Sequence, residues 1–70
     1  MRYLVVVERG PFDWGAHVPD LPVCVAAAAS REEVLELIRD AVSLHIAALR
    51  EAGLPVPAPV STAEVVDVVS

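Results

Sequence analysis

Short apolar runs separated by glycine and proline occupy the first 27 residues and predict three strands. Residues 1–9 contain a β-branched and aromatic run of strand length. The glycine and proline at residues 10–11 predict a turn, and residues 12–18 alternate in a way that predicts a second strand, paired antiparallel with the first. Prolines at both ends of residues 19–22 argue against a helix interior or a central strand and predict a rigid bend. Residues 23–27 are small and apolar and predict a third, buried strand.

The next segment carries complete start and stop signals for one helix. Ser30 is a good N-cap, and Glu33 three residues later completes a capping box. Gly53 is a natural residue just past the C-terminus, and Pro55 prevents the helix from continuing. Apolar residues at helical spacing form an arc wider than one small sheet requires. The flanks of this arc, which include Leu44, are therefore a candidate oligomer interface.

The C-terminal segment combines a stiff connector with a valine-rich run. Prolines at positions 55, 57 and 59 predict an extended connector. Four valines surround an aspartate in residues 64–69, which predicts a fourth strand, although a capping box over residues 61–64 leaves a short helix open. Val65, Val66 and Val68 are candidate oligomer-interface residues. The predicted fold is α+β with the order β-β-β-α-β, a three-stranded antiparallel sheet with one helix on a face plus a C-terminal strand.

Composition predicts a single domain, residues 1–70, that binds other chains. An apolar fraction of 56% is high for a soluble domain, and the only cysteine, Cys24, cannot form an intrachain disulfide. Chains of this size need additional stabilisation, so a homodimer or larger assembly is expected. The lone thiol, the short uncharged stretches and the absence of a signal-like N-terminus predict a cytoplasmic protein with no membrane segment.

The charge balance bears on the choice of partner. Ten acidic residues oppose five arginines, and lysine is absent, so the formal net charge is −5. An acidic surface repels phosphate, which argues against direct nucleic-acid binding. A basic protein is the better match.

Several segments, taken in order along the chain, resemble the HicB-like antitoxin family. They are YLVVVE at residues 3–8, WGAHVPDLPVC at residues 14–24, SREEVL at residues 30–35 and GLPVPAP at residues 53–59. The resemblance implies a partial ribonuclease-H-like fold. It also implies a HicA-type toxin as partner, a small basic ribonuclease with a double-stranded-RNA-binding-like fold that the antitoxin neutralises by blocking its access to RNA.

Three departures from the family pattern leave a second function open. Val23 stands where the family usually has glycine, and residues 28–30 read AAS in place of Gly-Asp-Thr. Full-length antitoxins often carry a C-terminal DNA-binding domain, which residues 1–70 do not include. The alternative is therefore a solitary oligomeric HicB-like domain with another protein-binding or regulatory role.

Four residues are candidates for partner binding. Trp14, the only tryptophan, either fills the core or anchors a partner, since tryptophan is enriched at binding hot spots. Glu33, Glu36 and Asp40 share one side of the predicted helix. Such acids usually form a solvated face, but opposite a basic toxin they would speed encounter and add salt-dependent affinity.

A ribonuclease-H-like fold makes a metal-dependent nuclease the third and least favoured alternative, but catalytic, metal and cofactor sites are not predicted. The acids of the strand region, Glu8, Asp13 and Asp20, fall on different elements, and Asp20 is expected to cap its own turn. His17, Cys24 and His45 lack the close spacing of metal ligands. Ordinary structural roles for all six are the favoured interpretation.

Overall fold

A computed structural model describes residues 1–69 and has three strands followed by one helix. The strands are β1 (Val6–Arg9), β2 (Trp14–Val18) and β3 (Leu21–Ala28), and the helix is α1 (Arg31–Glu51). The sheet has the order β1-β2-β3, and both neighbouring pairs are antiparallel. The α+β class, with a three-stranded antiparallel sheet and one helix, is confirmed.

The β1–β2 hairpin forms as predicted, but β2 begins later. The turn closes when the Gly10 amide donates to the Asp13 carbonyl oxygen at 2.7 Å. Phe12, expected in the strand, lies in this turn and is 96% exposed. Pairing therefore starts at Arg9 and Trp14, because the intervening residues are used to reverse the chain.

Strand β3 includes a proline, Pro22, that was predicted to lie in the preceding bend. The β2–β3 turn consists of residues 19–20, and β3 begins at Leu21 with Pro22 as its second residue. The prediction of a bend through residue 22 was therefore too long. An edge strand can accept a proline, because the backbone amides on its outer side have no neighbouring strand to which they could donate. β3 is such an edge, and its register with β2 is irregular at Val18.

Both ends of α1 follow the predicted capping pattern. At the start, the Glu33 amide donates to the Ser30 side-chain oxygen at 3.2 Å. At the end, Gly53 adopts a φ of 69°, and its amide donates to the Arg50 carbonyl oxygen at 3.1 Å. The Leu54 amide donates to the Leu49 carbonyl oxygen at 2.9 Å. The two C-terminal bonds together form a Schellman motif.

The helix packs over β2 and β3 and covers β1 poorly. The buried hydrophobic residues come only from β2, β3 and α1: Ala16, Val18, Leu21, Cys24, Val34 and Ile38. Val7 of β1 and the preceding Tyr3 and Val5 pack against this core but are only half-buried. The side of the molecule along β1 is therefore incompletely closed.

The tail, residues 55–69, contains neither helix nor strand. The fourth strand predicted over residues 64–69 is thus absent from the described part of the chain, as is the short helix left open there. A strand requires a neighbour for its backbone hydrogen bonds, and none lies beside this segment. The radius of gyration is 14.0 Å, against about 11 Å for a compact chain of this length. The longest dimension is 49 Å.

Candidate binding surfaces

The outward side of α1 carries an acidic and apolar surface. Glu33, Glu36 and Asp40 are all exposed, as the sequence predicts. At helical spacing, Leu37 and Leu44 lie beside them, and Leu44 is 73% exposed. These five residues are called the acidic helix surface below. Its chemistry suits a partner that presents both cationic and apolar groups.

One member of the acidic helix surface also serves the helix cap. The Ser30 hydroxyl donates to a carboxylate oxygen of Glu33 at 3.2 Å, while the Glu33 amide donates to the same hydroxyl oxygen. Glu33 is therefore tied to the first turn. Glu36 and Asp40 lie further along the helix and are the better candidates for long-range attraction.

Trp14 lies where the core meets the hairpin turn. Its side chain is half-buried and packs against the core. The Arg9 guanidinium carbon lies 6.0 Å from the ring centre, at the outer range of a cation–π contact. The exposed Phe12 is close in sequence and was not singled out as a candidate. Its signal was an aromatic residue between a Gly-Pro pair and an aspartate, a position that favours a turn.

A groove lies between α1 and residues 1–5, along the poorly covered side of the sheet. Its volume is about 610 Å³. Apolar groups make most of its surface, namely the side chains of Tyr3, Val5, Leu35, Ile38, Val42 and Ile46. Arg39 and Arg50 also line it and are exposed, so two of the five arginines border one groove. We call it the arginine-rimmed groove. Sequence reasoning did not predict it, because it depends on where the helix sits across the sheet.

Hydrogen bonds to the Asp20 carboxylate and from the Tyr3 hydroxyl fasten the tail to one end of the sheet. The Asp20 carboxylate accepts from the amides of Val60 and Ser61 at 3.1 and 2.9 Å and from the Ser61 hydroxyl at 2.7 Å. The Tyr3 hydroxyl donates to the Pro57 carbonyl oxygen. We call these contacts the tail clasp. The expectation that Asp20 caps its own turn was wrong, since its partners are 40 and 41 residues away.

The tail clasp determines the protonation behaviour of Asp20. Hydrogen bonds from the Ser61 amide, the Ser61 hydroxyl and the Val60 amide stabilise the carboxylate. Together they outweigh desolvation and hold the pKa of Asp20 below its ordinary value of 3.8. The clasp is therefore strongest when Asp20 is ionised.

The acids weighed as nuclease candidates do not converge. Glu8 is on β1, whereas Asp13 and Asp20 lie in turns at opposite ends of β2. Within residues 1–69, no group of three or more histidine, cysteine, aspartate or glutamate side chains is arranged to hold a metal ion. Asp20 is engaged in the tail clasp.

The residues weighed as metal ligands also have separate environments. His17 is exposed on the sheet face opposite the core, and His45 is half-buried on α1. Cys24 is a buried core residue, and desolvation raises the pKa of its thiol. These positions agree with ordinary structural roles.

The candidate oligomer-interface residues of the tail are exposed. Val65, Val66 and Val68 are 93%, 72% and 81% exposed. Such a run of uncovered β-branched residues is unusual on a monomer surface. For the described residues, no helix has both the length and the apolar character needed to cross a membrane.

The fold and these surfaces define a small α+β domain of the helix-on-sheet class. Residues 3–69 match the family model described as the HicB-like antitoxin of bacterial toxin–antitoxin system. The chain therefore belongs to the HicB-like antitoxin family, as its sequence segments indicated. Searches of curated proteins and of solved structures returned no match.

Proposed function

We propose that this chain is an antitoxin that binds and neutralises a HicA-type toxin by direct protein–protein contact, without catalysis. The observation that carries the proposal is membership of an antitoxin family over residues 3–69. An antitoxin of this kind needs a surface that fits its toxin. It does not need catalytic groups of its own.

The acidic helix surface is the proposed contact region. HicA-type toxins are expected to be small and basic, as the family resemblance implies. Glu36 and Asp40 supply negative charge that favours encounter, and the exposed Leu44 supplies apolar area for the bound state. Trp14 lies on β2 and packs against the core, which makes it a secondary candidate.

Fold and charge support two further parts of the proposal. Three antiparallel strands followed by one helix agree with the first four elements expected of a partial ribonuclease-H-like fold. A net charge of −5 favours a basic protein over nucleic acid as the direct partner. Action in the cytoplasm follows from the proposal, because the mRNA that such a toxin cleaves is there.

The proposal predicts a HicA-type toxin gene beside that of this chain, and the test uses the toxin that such a gene encodes. Co-expression should relieve growth arrest by the toxin, and calorimetry should give an affinity that falls as salt is raised. The double variant Glu36→Lys/Asp40→Lys should weaken binding by about tenfold or more, since each close charge pair contributes about 1 kcal/mol or more at an interface.

The matched control is Glu8→Lys/Asp13→Lys, which changes the net charge equally but lies on β1 and the hairpin turn. It should bind the toxin nearly as well as the unmodified chain. Equal loss in both variants would show that overall charge, and not the acidic helix surface, governs binding. Absence of any binding to the neighbouring toxin would contradict the antitoxin function.

The second candidate function is a solitary oligomeric domain with another protein-binding or regulatory role. The exposed tail valines favour it, because they call for a covering surface whether or not a toxin exists. A gene with no small basic neighbour, together with recovery of only this chain in a pull-down, would favour this candidate.

A further inference from the structure

The arginine-rimmed groove and the tail of the same chain have complementary chemistry. The groove offers an apolar surface bordered by Arg39 and Arg50. The tail offers four valines with Glu64 and Asp67, and residues 54–70 contain no basic side chain. In an extended segment, residues 64, 66 and 68 share one face and residues 65, 67 and 69 share the other. Either face therefore presents two valines and one carboxylate.

The position of the groove suits an added strand. The groove is walled by Tyr3 and Val5, whose chain continues into β1. β1 is at the edge of the sheet, and within residues 1–69 no strand pairs with its outer side. The inward side chains of a strand added there would stand next to those of residues 3 and 5, above the groove floor.

The chain's own tail does not fill this groove. The tail clasp holds residues 57–61 at the end of the sheet near Tyr3 and Asp20. Beyond the clasp, Val65 and Val68 remain almost fully exposed. The prolines at positions 55, 57 and 59 stiffen the approach to the clasp and oppose a tight reversal of direction. The tail is thus presented outward as an apolar, acidic segment.

We propose that the arginine-rimmed groove binds the tail of a second copy of this chain. Residues 62–69 of one protomer lie along the free edge of β1 of the other, with Val66 and Val68 on the apolar floor and Glu64, which shares their face, at the arginine rim. A two-fold arrangement exchanges both tails, so every groove is filled and no tail is left over. This inference adds the structural basis of self-assembly and does not depend on toxin binding.

The first test measures mass in solution with the full-length chain alone. Light scattering at micromolar concentration should give twice 7.4 kDa. Arg39→Glu/Arg50→Glu and Glu64→Arg/Asp67→Arg should each raise the dimer dissociation constant by at least about tenfold, and combining them should restore it. All four side chains are exposed, so helical circular dichroism should stay unchanged.

If overall charge alone governed dimerisation, the tail variant Glu64→Arg/Asp67→Arg would dimerise more tightly and not more weakly. The tail reversal reduces the magnitude of the net charge, from −5 to −1, which by itself reduces repulsion between copies. Weaker dimerisation by that variant is therefore specific to the contact. The control Glu36→Arg/Asp40→Arg reaches the same net charge at two exposed residues that do not line the groove, and it should dimerise at least as well as the unmodified chain.

The second test distinguishes exchange between copies from occupancy by the chain's own tail. Ser43 lines the groove and is exposed, as is Val66 in the tail. Under mild oxidation, Ser43→Cys/Val66→Cys should give a product of twice the mass. Cross-linking within single chains would overturn the proposal. A strict monomer in light scattering would also overturn it. So would a dimer that survives both charge reversals but dissociates in the Leu44→Asp variant.

Discussion

The helix-on-sheet body and the tail of this chain are held by different forces. In the body, Val34 of α1 has no exposed surface, and it packs with Ile38, Val18 and Leu21 in one buried cluster. In the tail, Val65 is 93% exposed, and the attachment consists of hydrogen bonds to the Asp20 carboxylate and from the Tyr3 hydroxyl. Body stability therefore comes from apolar burial, whereas tail position depends on a few polar contacts.

This difference separates folding from assembly. A body that buries its own core can keep its structure while the tail exchanges partners. A tail that is attached by surface hydrogen bonds can be released or redirected without unfolding the body. The substitutions below test that separation in order of expected effect.

The same substitution at Val34 and at Val65 should give the largest contrast. Val34→Ala removes two buried methyl groups, which costs about 2 kcal/mol of unfolding free energy after the better helix propensity of alanine is included. Val65→Ala should change it by less than about 0.5 kcal/mol, because the side chain is already in solvent.

Urea titration at a concentration where the chain is monomeric measures both values. Equal losses for the two variants would show that the tail valines are buried in the isolated chain. No loss for Val34→Ala would mean that the helix does not rest on the sheet as described.

Gly53 lies at the junction of body and tail and should give an intermediate effect. Its φ of 69° lies in the left-handed region, and a Cβ there would meet nothing within 4 Å. Gly53→Ala should therefore cost about 1 kcal/mol through backbone strain alone.

Gly53→Asn is the matched comparison, because asparagine tolerates this conformation better and should lose less stability. Thermal denaturation of the two variants gives the ranking. If alanine were as stable as glycine, the Schellman end of α1 would not be maintained in solution.

Asp20 should give the smallest effect on the body and the clearest effect on the tail. Because its folded pKa lies below 3.8, the clasp stabilises the bound tail above that pH and is lost as the pH falls through the folded pKa. The amide chemical shifts of Val60 and Ser61 should therefore titrate with a midpoint below 3.8.

In Asp20→Ala this titration should disappear, while the midpoint of urea unfolding stays nearly unchanged. A midpoint at or above 3.8 in the unmodified chain would show that the carboxylate does not hold the tail. Asp13→Ala, a change in the other turn, should leave the Val60 and Ser61 titration intact.

Local signals predicted most of the body, and long-range contacts account for what they missed. The cap at Ser30 and the stop at Gly53 were predicted because each depends on neighbours within a few residues. Pro22 was predicted to lie in the bend. A strand accepts a proline at a sheet edge, and only the long-range pairing of the strands shows that β3 is an edge. The partners of Asp20 are 40 residues away, beyond any local pattern.

The candidate surfaces also divide into those that local sequence signals predict and those that depend on long-range contacts. The exposure of Glu36 and Asp40 followed from helical spacing, and it was predicted. The arginine-rimmed groove was not predicted, because its walls come from residues 1–5 and from α1, which are distant in sequence. The valine run was interpreted as a strand from its composition, but a strand also needs a neighbour. The binding roles assigned to these residues remain predictions.

The single cysteine gives this molecule an internal reporter of its own opening. Cys24 is buried in the core, with its sulfur 4.0 Å from the Ala41 carbonyl oxygen of α1. A thiol reagent can reach it only when the helix separates from the sheet, so the rate of labelling measures the frequency of that separation. Each variant above that adds no cysteine can thus be followed through its native thiol. Labelling that is unaffected by tail substitutions would mark the body as an independent cooperative unit.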